Sequence, residues 1–185
     1  MLQDIWIPLI VVGLAELGDK TQLSILLLSL KMKKRLYLLF GVILAFLIVD
    51  GIAILAGEWI TNIVPISSVK ILSGAIFIIF GILILRSEKE ETKTKSKYYL
   101  KNPFYSGFAL IFLSEWGDKT QIASGLFATK YNGLLVLTGV MIALTLLSIL
   151  TIYLGDFISS KIERKTVTKI AGFLFVLIGL SFFLF

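Results

Sequence analysis

Apolar residues run through this chain in six long blocks, at about 5–30, 36–57, 66–85, 104–129, 132–155 and 167–185, parted by short polar stretches. Each block is long enough to cross a hydrocarbon core of roughly 30 Å as a helix. No period-2 alternation is visible, so helices are favoured over barrel strands. The pattern therefore predicts an all-α polytopic membrane protein with six transmembrane helices. Composition agrees: 57% of the 185 residues are hydrophobic, more than one soluble core of this size would hide.

The polar stretches set an orientation. Lys31, Lys33, Lys34 and Arg35 lie between blocks 1 and 2. Arg86, Lys89, Lys93, Lys95, Lys97 and Lys101 lie between blocks 3 and 4, and Lys161, Arg164, Lys165 and Lys169 between 5 and 6. The opposite face has only Lys70 and Lys130, and Lys20 and Lys119 fall inside blocks. The positive-inside rule then puts the three basic loops in the cytoplasm and both termini outside, most simply in the cell membrane. The net charge of +6 belongs to these loops and not to a nucleic-acid surface. The N-terminus has no basic n-region, and its apolar block ends in a basic run without a small-residue cleavage site, so no cleavable signal peptide is expected.

The two halves repeat. AELGDKTQ at 15–22 matches SEWGDKTQ at 114–121, Gly57-Glu58-Trp59-Ile60 matches Gly155-Asp156-Phe157-Ile158, and Gly74 and Gly81 match Gly172 and Gly179. The landmarks keep their order at a nearly constant offset. Each half holds three spans, an odd number, so the second copy enters the membrane from the opposite side. That is the inverted-repeat architecture of many secondary transporters. The expected division is a first three-helix repeat at 1–86, a charged cytoplasmic linker at 87–101 and an inverted second repeat at 102–185. The paired glycines are expected to serve close helix packing. Two halves already form a complete unit, so a monomer suffices in this reading.

The chemistry sits in the doubled motif. Both copies fall at the middle of their blocks, and both blocks exceed a straight span, which leaves room for tilt or a local break at Gly18 and Gly117. A charge at that depth costs about 2.5–3.5 kcal/mol even on the lenient insertion scale. Glu16, Asp19, Lys20, Glu115, Asp118 and Lys119 would persist only buried among themselves or around an ion. On a continuous helix, the Glu, the Asp and the following Gln22 or Gln121 share one face, and Lys20 and Lys119 reach back to the Glu four residues earlier. Each motif sums to minus one, so two balance one divalent cation. With no cysteine and no histidine in the sequence, any ligands are hard oxygens: Glu16, Asp19, Thr21, Gln22, Glu115, Asp118, Thr120 and Gln121. Such a set suits Ca²⁺, Mn²⁺ or Mg²⁺. Protons would compete for the same oxygens, and cation/proton exchange follows. The plainer alternative is that Glu16–Lys20 and Glu115–Lys119 are ion pairs locking helices together. The string G-D-K-T lacks the glycine-rich loop and strand–helix context of a P-loop.

In these residues the chain resembles the membrane cation/proton exchangers that carry two E-x-G-D-[KR]-[TS] motifs, among them Golgi and plastid manganese/calcium transporters and bacterial manganese exporters. Glu16-Leu17-Gly18-Asp19-Lys20-Thr21 and Glu115-Trp116-Gly117-Asp118-Lys119-Thr120 both keep the pattern, and the resemblance covers nearly the whole chain. It implies Mn²⁺ or Ca²⁺ moved against protons as transported substrates. It also implies no resident cofactor and a cation-binding role for Glu16, Asp19, Glu115 and Asp118. An exporter of a small cationic organic solute such as an amino acid is the alternative. An intramembrane enzyme lacks an obvious nucleophile or cofactor site, and a mere scaffold leaves the duplicated charges unexplained. Asp50 lies inside block 2 opposite Ser148 in the repeat, as a proton relay or gate, a partner of Lys20, or a shallow interfacial acid. Glu58 and Asp156 mark either the mouths of a pathway or ordinary helix ends. Trp6, Trp59 and Tyr153 are expected at the interface. Trp116 either shapes the site or packs beside it.

Overall fold

The computed structural model describes residues 2–86, 100–161 and 164–184, apart from the side chains of 155–161, 164, 165, 167 and 184. The described residues form eight helices and no strand: α1 Leu2–Glu16, α2 Lys20–Lys31, α3 Arg35–Ile63, α4 Ile66–Arg86, α5 Pro103–Ser114, α6 Lys119–Ala128, α7 Gly133–Lys161 and α8 Arg164–Leu184. Most of the expected linker, 87–99, lies outside the described residues.

The first and fourth apolar blocks are each two helices, α1–α2 and α5–α6. The chain breaks at Gly18 (φ 83°) and Gly117 (φ 77°), the two described residues with positive φ. An L side chain crowds its own carbonyl in that region, so glycine takes it at least cost. Three helices are individually long and apolar enough to cross a membrane: α3, α4 and the stretch Gly133–Leu154 of α7. α5 and Thr168–Phe183 of α8 are shorter apolar helices. The motif blocks do not qualify as single spans because the break divides them.

Helix ends follow local chemistry. α3 runs six residues past the second block, because Thr61 and Asn62 donate to the Glu58 carbonyl (2.7 and 3.3 Å) and remain helical. It stops at Val64, extended because Pro65 follows. Asn102 caps α5 by accepting from the Phe104 amide at 3.0 Å, with Pro103 pre-set at the first position.

Packing joins helices far apart in sequence. α4 lies against α8, α3 against α5, α6 and α7, and α7 also against α1 and α2. Where α4 crosses α8, a Cβ on Gly74 would come within 2.9 Å of the Gly179 carbonyl, and one on Gly81 within 2.7 Å of the Gly172 carbonyl. The glycines therefore do serve close approach, each pairing with the opposite member of the matching pair. A buried aromatic group fills the junction of α4, α6 and α8. Phe77 meets Phe127, Phe175 and Phe182 at centroid distances of 4.9, 5.5 and 5.6 Å. Outward-facing residues are largely apolar, including Leu55, Leu83, Leu134 and Phe173, as on a surface solvated by lipid. Trp6, Trp59 and Tyr153 are exposed among these outward-facing residues.

Candidate functional site

The two breaks are built alike. In each, a glutamate closes one helix, a positive-φ glycine turns the chain, and an aspartate stands at the N-cap of the next. Glu16 is the last residue of α1, and Glu115 is the C-cap of α5. Asp19 caps α2 and Asp118 caps α6 in extended conformation, yet neither side chain accepts a capping bond from a backbone amide of its helix. The Asp19 and Asp118 amides instead donate to the glutamate carbonyls across the turn, at 3.0 and 3.2 Å. This corrects the continuous-helix geometry read from the spacing. Glu and Asp do not share a helix face; they flank a turn. The positive ends of α2 and α6 meet the aspartates there, and the negative ends of α1 and α5 lie beside them.

The breaks meet each other, α1 touching α6 and α2 touching α5. Carboxylate oxygens of Glu16, Asp19 and Asp118 gather within 4.8 Å of one another. Oxygens on opposite sides of one Ca²⁺ ion stand roughly 4.6–5.2 Å apart, so the cluster has the dimensions of a single-ion site. Glu16 is fully buried, and neither of its carboxylate oxygens has a hydrogen-bond partner. Such an orphaned buried acid is costly without a cation.

Lys119 Nζ sits against this cluster, 2.5 Å from Asp19 Oδ2, 3.5 Å from Asp118 Oδ2 and 3.8 Å from Glu16 Oε1. The ion pairing thus crosses between motifs, in place of the expected i, i+4 pair with Glu115. Lys20, at the matching position of the first motif, is exposed. Glu115 stands outside the three-carboxylate group. It is buried, and its Oε1 accepts from Thr21 Oγ1 at 2.6 Å and from Ser114 Oγ at 3.4 Å. Thr120 Oγ1 donates to Asp118 Oδ2 at 3.3 Å, so both motif threonines support carboxylates.

The glutamines do other work. Gln121 Oε1 accepts from the Gly117 amide at 2.7 Å, and its Nε2 donates to the Val49 carbonyl at 3.2 Å. Gln22 Oε1 accepts from Thr151 Oγ1 at 2.5 Å. Both oxygens expected as metal ligands are therefore engaged in bracing the turn or an adjoining helix.

Asp50 is buried near the middle of α3, not shallow, and accepts from Ser124 Oγ of α6 at 2.8 Å. Ser124, which also bonds to the Thr120 carbonyl at 2.9 Å, had no signal in the sequence. A serine in an apolar block ordinarily bonds to its own helix, as Ser148 does with the Leu144 carbonyl at 2.7 Å. Glu58 Oε1 accepts from the Gly133 amide at 3.0 Å and so ties the end of α3 to the start of α7. Its counterpart Asp156 lies outside the residues whose side chains are described. Trp116 is half exposed and packs edge-on against Phe112 at 5.6 Å, on the outer side of α5.

Comparison with known proteins follows the same residues. The sequence model described as "Divalent cation/proton antiporter GDT1" matches residues 4–92 and 103–184, both motifs included. A GDT1-like protein of Synechocystis is 29% identical over 189 residues, covering 91% of each chain. A Vibrio cholerae protein named as a candidate manganese exporter is 28% identical over 177 residues, covering 95% of this chain and 88% of its own. A GDT1-like protein of Schizosaccharomyces pombe is 27% identical over 221 residues, covering 90% and 84%. No solved structure matches the chain.

Proposed function

Because the chain belongs to the GDT1 family of divalent cation/proton antiporters, we propose that it exchanges Mn²⁺ or Ca²⁺ for protons by alternating access, holding the cation among Glu16, Asp19 and Asp118. The observation that carries this is the convergence of three carboxylates from two motifs about 100 residues apart, one of them a fully buried acid without a hydrogen bond. Glu115, Thr21 and Thr120 complete the oxygen-rich surround, and Gln22 and Gln121 position it. The tight spacing favours a monatomic ion over the larger organic cation.

The reading includes six membrane crossings arranged as two inverted repeats, residues 1–86 and 102–185, with α1–α2 and α5–α6 as the broken spans. Support comes from reciprocal packing: α3 lies on α5 as α7 lies on α1, and the glycine pairs of α4 and α8 meet crosswise. A two-fold axis in the membrane plane relates such contacts, and rocking of one half against the other would expose the site alternately. Both termini are assigned to the outside of the cell membrane. One chain supplies the entire site, so a monomer is taken as the working unit. Asp50 is assigned to proton transfer, since it adjoins the second motif through Ser124 without joining the carboxylate cluster.

Proteoliposomes with a trapped pH dye test the exchange. Added Mn²⁺ should enter and drive protons out, making the lumen more alkaline. Asp19→Asn combined with Asp118→Asn should slow this at least about tenfold, since each 1.4 kcal/mol of lost cation binding is a factor of ten. A parent protein that moves no protons on addition of either Mn²⁺ or Ca²⁺ would refute antiport. Parent-like rates in the double variant would refute the site.

A further inference from the structure

We propose that the Lys119 ammonium is a tethered stand-in for the transported cation, holding the Glu16–Asp19–Asp118 cluster when no metal is bound and swinging aside when one arrives. This rests on the antiport reading above. The ammonium lies against the three carboxylates that a divalent ion would need: a short bond to Asp19, a longer one to Asp118, and 3.8 Å to Glu16. Its fit is incomplete. Glu16 is fully buried and receives no hydrogen bond from it or from any other group. A single positive charge of fixed tether thus neutralises the cluster in part and leaves one acid for a better-placed, doubly charged ion to engage.

The position of Lys119 in its own helix points the same way. It is the first residue of α6, where the helix dipole disfavours a cation. Helix stability therefore does not account for a lysine there, and the opposing motif does. The side chain is 22% exposed, so it retains an open direction in which to move, and its four-carbon stem is flexible. Lys20 occupies the matching place in the first motif and is exposed, so the two lysines are in different settings.

The stand-in has a purpose in exchange. A carrier that returns without metal must cross with its acids in an apolar interior, and unpaired charge there is costly. An internal ammonium, together with the returning protons, lowers that charge. The same group sets affinity: metal binds only to the fraction of molecules in which Lys119 has moved away. If Lys119 holds the cluster nine-tenths of the time, its removal tightens apparent binding about tenfold. A lysine that merely braces the two motifs has the opposite effect, because its loss would loosen the site.

Calorimetric titration of Mn²⁺ into purified full-length protein separates these roles. Lys119→Met should bind Mn²⁺ about tenfold more tightly than the parent, and Lys119→Arg, which keeps the charge, should return towards parent affinity. Equal or weaker binding in Lys119→Met overturns the proposal. Should that variant fail to fold, amine labelling of the parent read by mass spectrometry decides instead. Reactivity at Lys119 should rise several-fold when Mn²⁺ is present, whereas unchanged or reduced reactivity overturns the proposal. A parent that binds Mn²⁺ and exchanges it, with no Lys119 effect, removes only this inference. A parent that binds neither Mn²⁺ nor Ca²⁺ removes the antiport reading with it.

Discussion

Acidic side chains in this interior differ in what answers their charge. Asp19 has the Lys119 ammonium, Glu115 has two hydroxyls, Asp50 has one hydroxyl, and Glu16 has no hydrogen bond at all. A divalent ion would supply the interaction Glu16 lacks, which is why the proposal assigns the cation beside it. Asp50 is set apart by geometry. It reaches the second motif through Ser124, while the adjacent Val49 carbonyl is held by Gln121. Asp50 is thus a buried carboxyl beside the cluster but outside it, and the proposed exchange assigns it a proton. Asp50→Asn keeps an oxygen for Ser124 to bond but cannot carry that proton. Radiolabelled Mn²⁺/Mn²⁺ exchange should persist in this variant, while the number of protons moved per Mn²⁺ falls. An unchanged ratio would leave Asp50 a structural acid.

At the level of the element, the decisive feature is the interrupted helix. A continuous helix would bury its backbone groups in intrahelical bonds and hold each Glu and Asp on one stripe. The turn at glycine frees both carboxylates and sets them at opposed helix ends. Gly117 isolates this effect, since an added Cβ would meet nothing within 4 Å and only its φ of +77° is unfavourable. Gly117→Ala should cost about 1–2 kcal/mol, read as a lower thermal midpoint in detergent, and Gly117→Asn less, because asparagine tolerates that region. If alanine matches the parent midpoint, the turn does not depend on the positive φ. Gln121, whose oxygen receives the Gly117 amide, braces the same turn from inside α6.

Across the whole molecule, the halves are interlocked. α3 packs on α5 and α6, α7 on α1 and α2, and α4 on α8, so neither half forms its core alone. Lys130 adds a clasp between the α6–α7 connection and α8, donating to the Ser181 carbonyl at 3.1 Å and hydroxyl at 3.2 Å and lying over the Phe182 ring. The orientation can be tested cleanly because the sequence has no cysteine. Ser67→Cys lies in the first turn of α4, at the membrane face assigned outside, and Lys33→Cys in a basic loop assigned to the cytoplasm; both positions are exposed. A membrane-impermeant maleimide should label Ser67→Cys in intact cells and Lys33→Cys only after permeabilisation. The reverse pattern would invert the assigned topology.

Much of this was legible along the chain, because its causes are local. Apolar block length reads out helical membrane segments, and a charge inside such a block is costly wherever it is folded. The doubled motif thus marked both the family and the residues around the site, and the surplus length of blocks 1 and 4 left room for the breaks at Gly18 and Gly117. Partnership was not legible. Spacing assigned Lys119 to Glu115 four residues back, yet packing carries it across to Asp19; it offered the glutamine oxygens as ligands, yet the turn and Thr151 use them. Ser124, the partner of Asp50, was silent for the same reason. Which polar groups meet across about 100 residues depends on how the helices cross, and only the folded arrangement decides that. The carboxylates were therefore readable as a set, but their division into a three-membered cluster and a separately bonded Glu115 belongs to the tertiary structure.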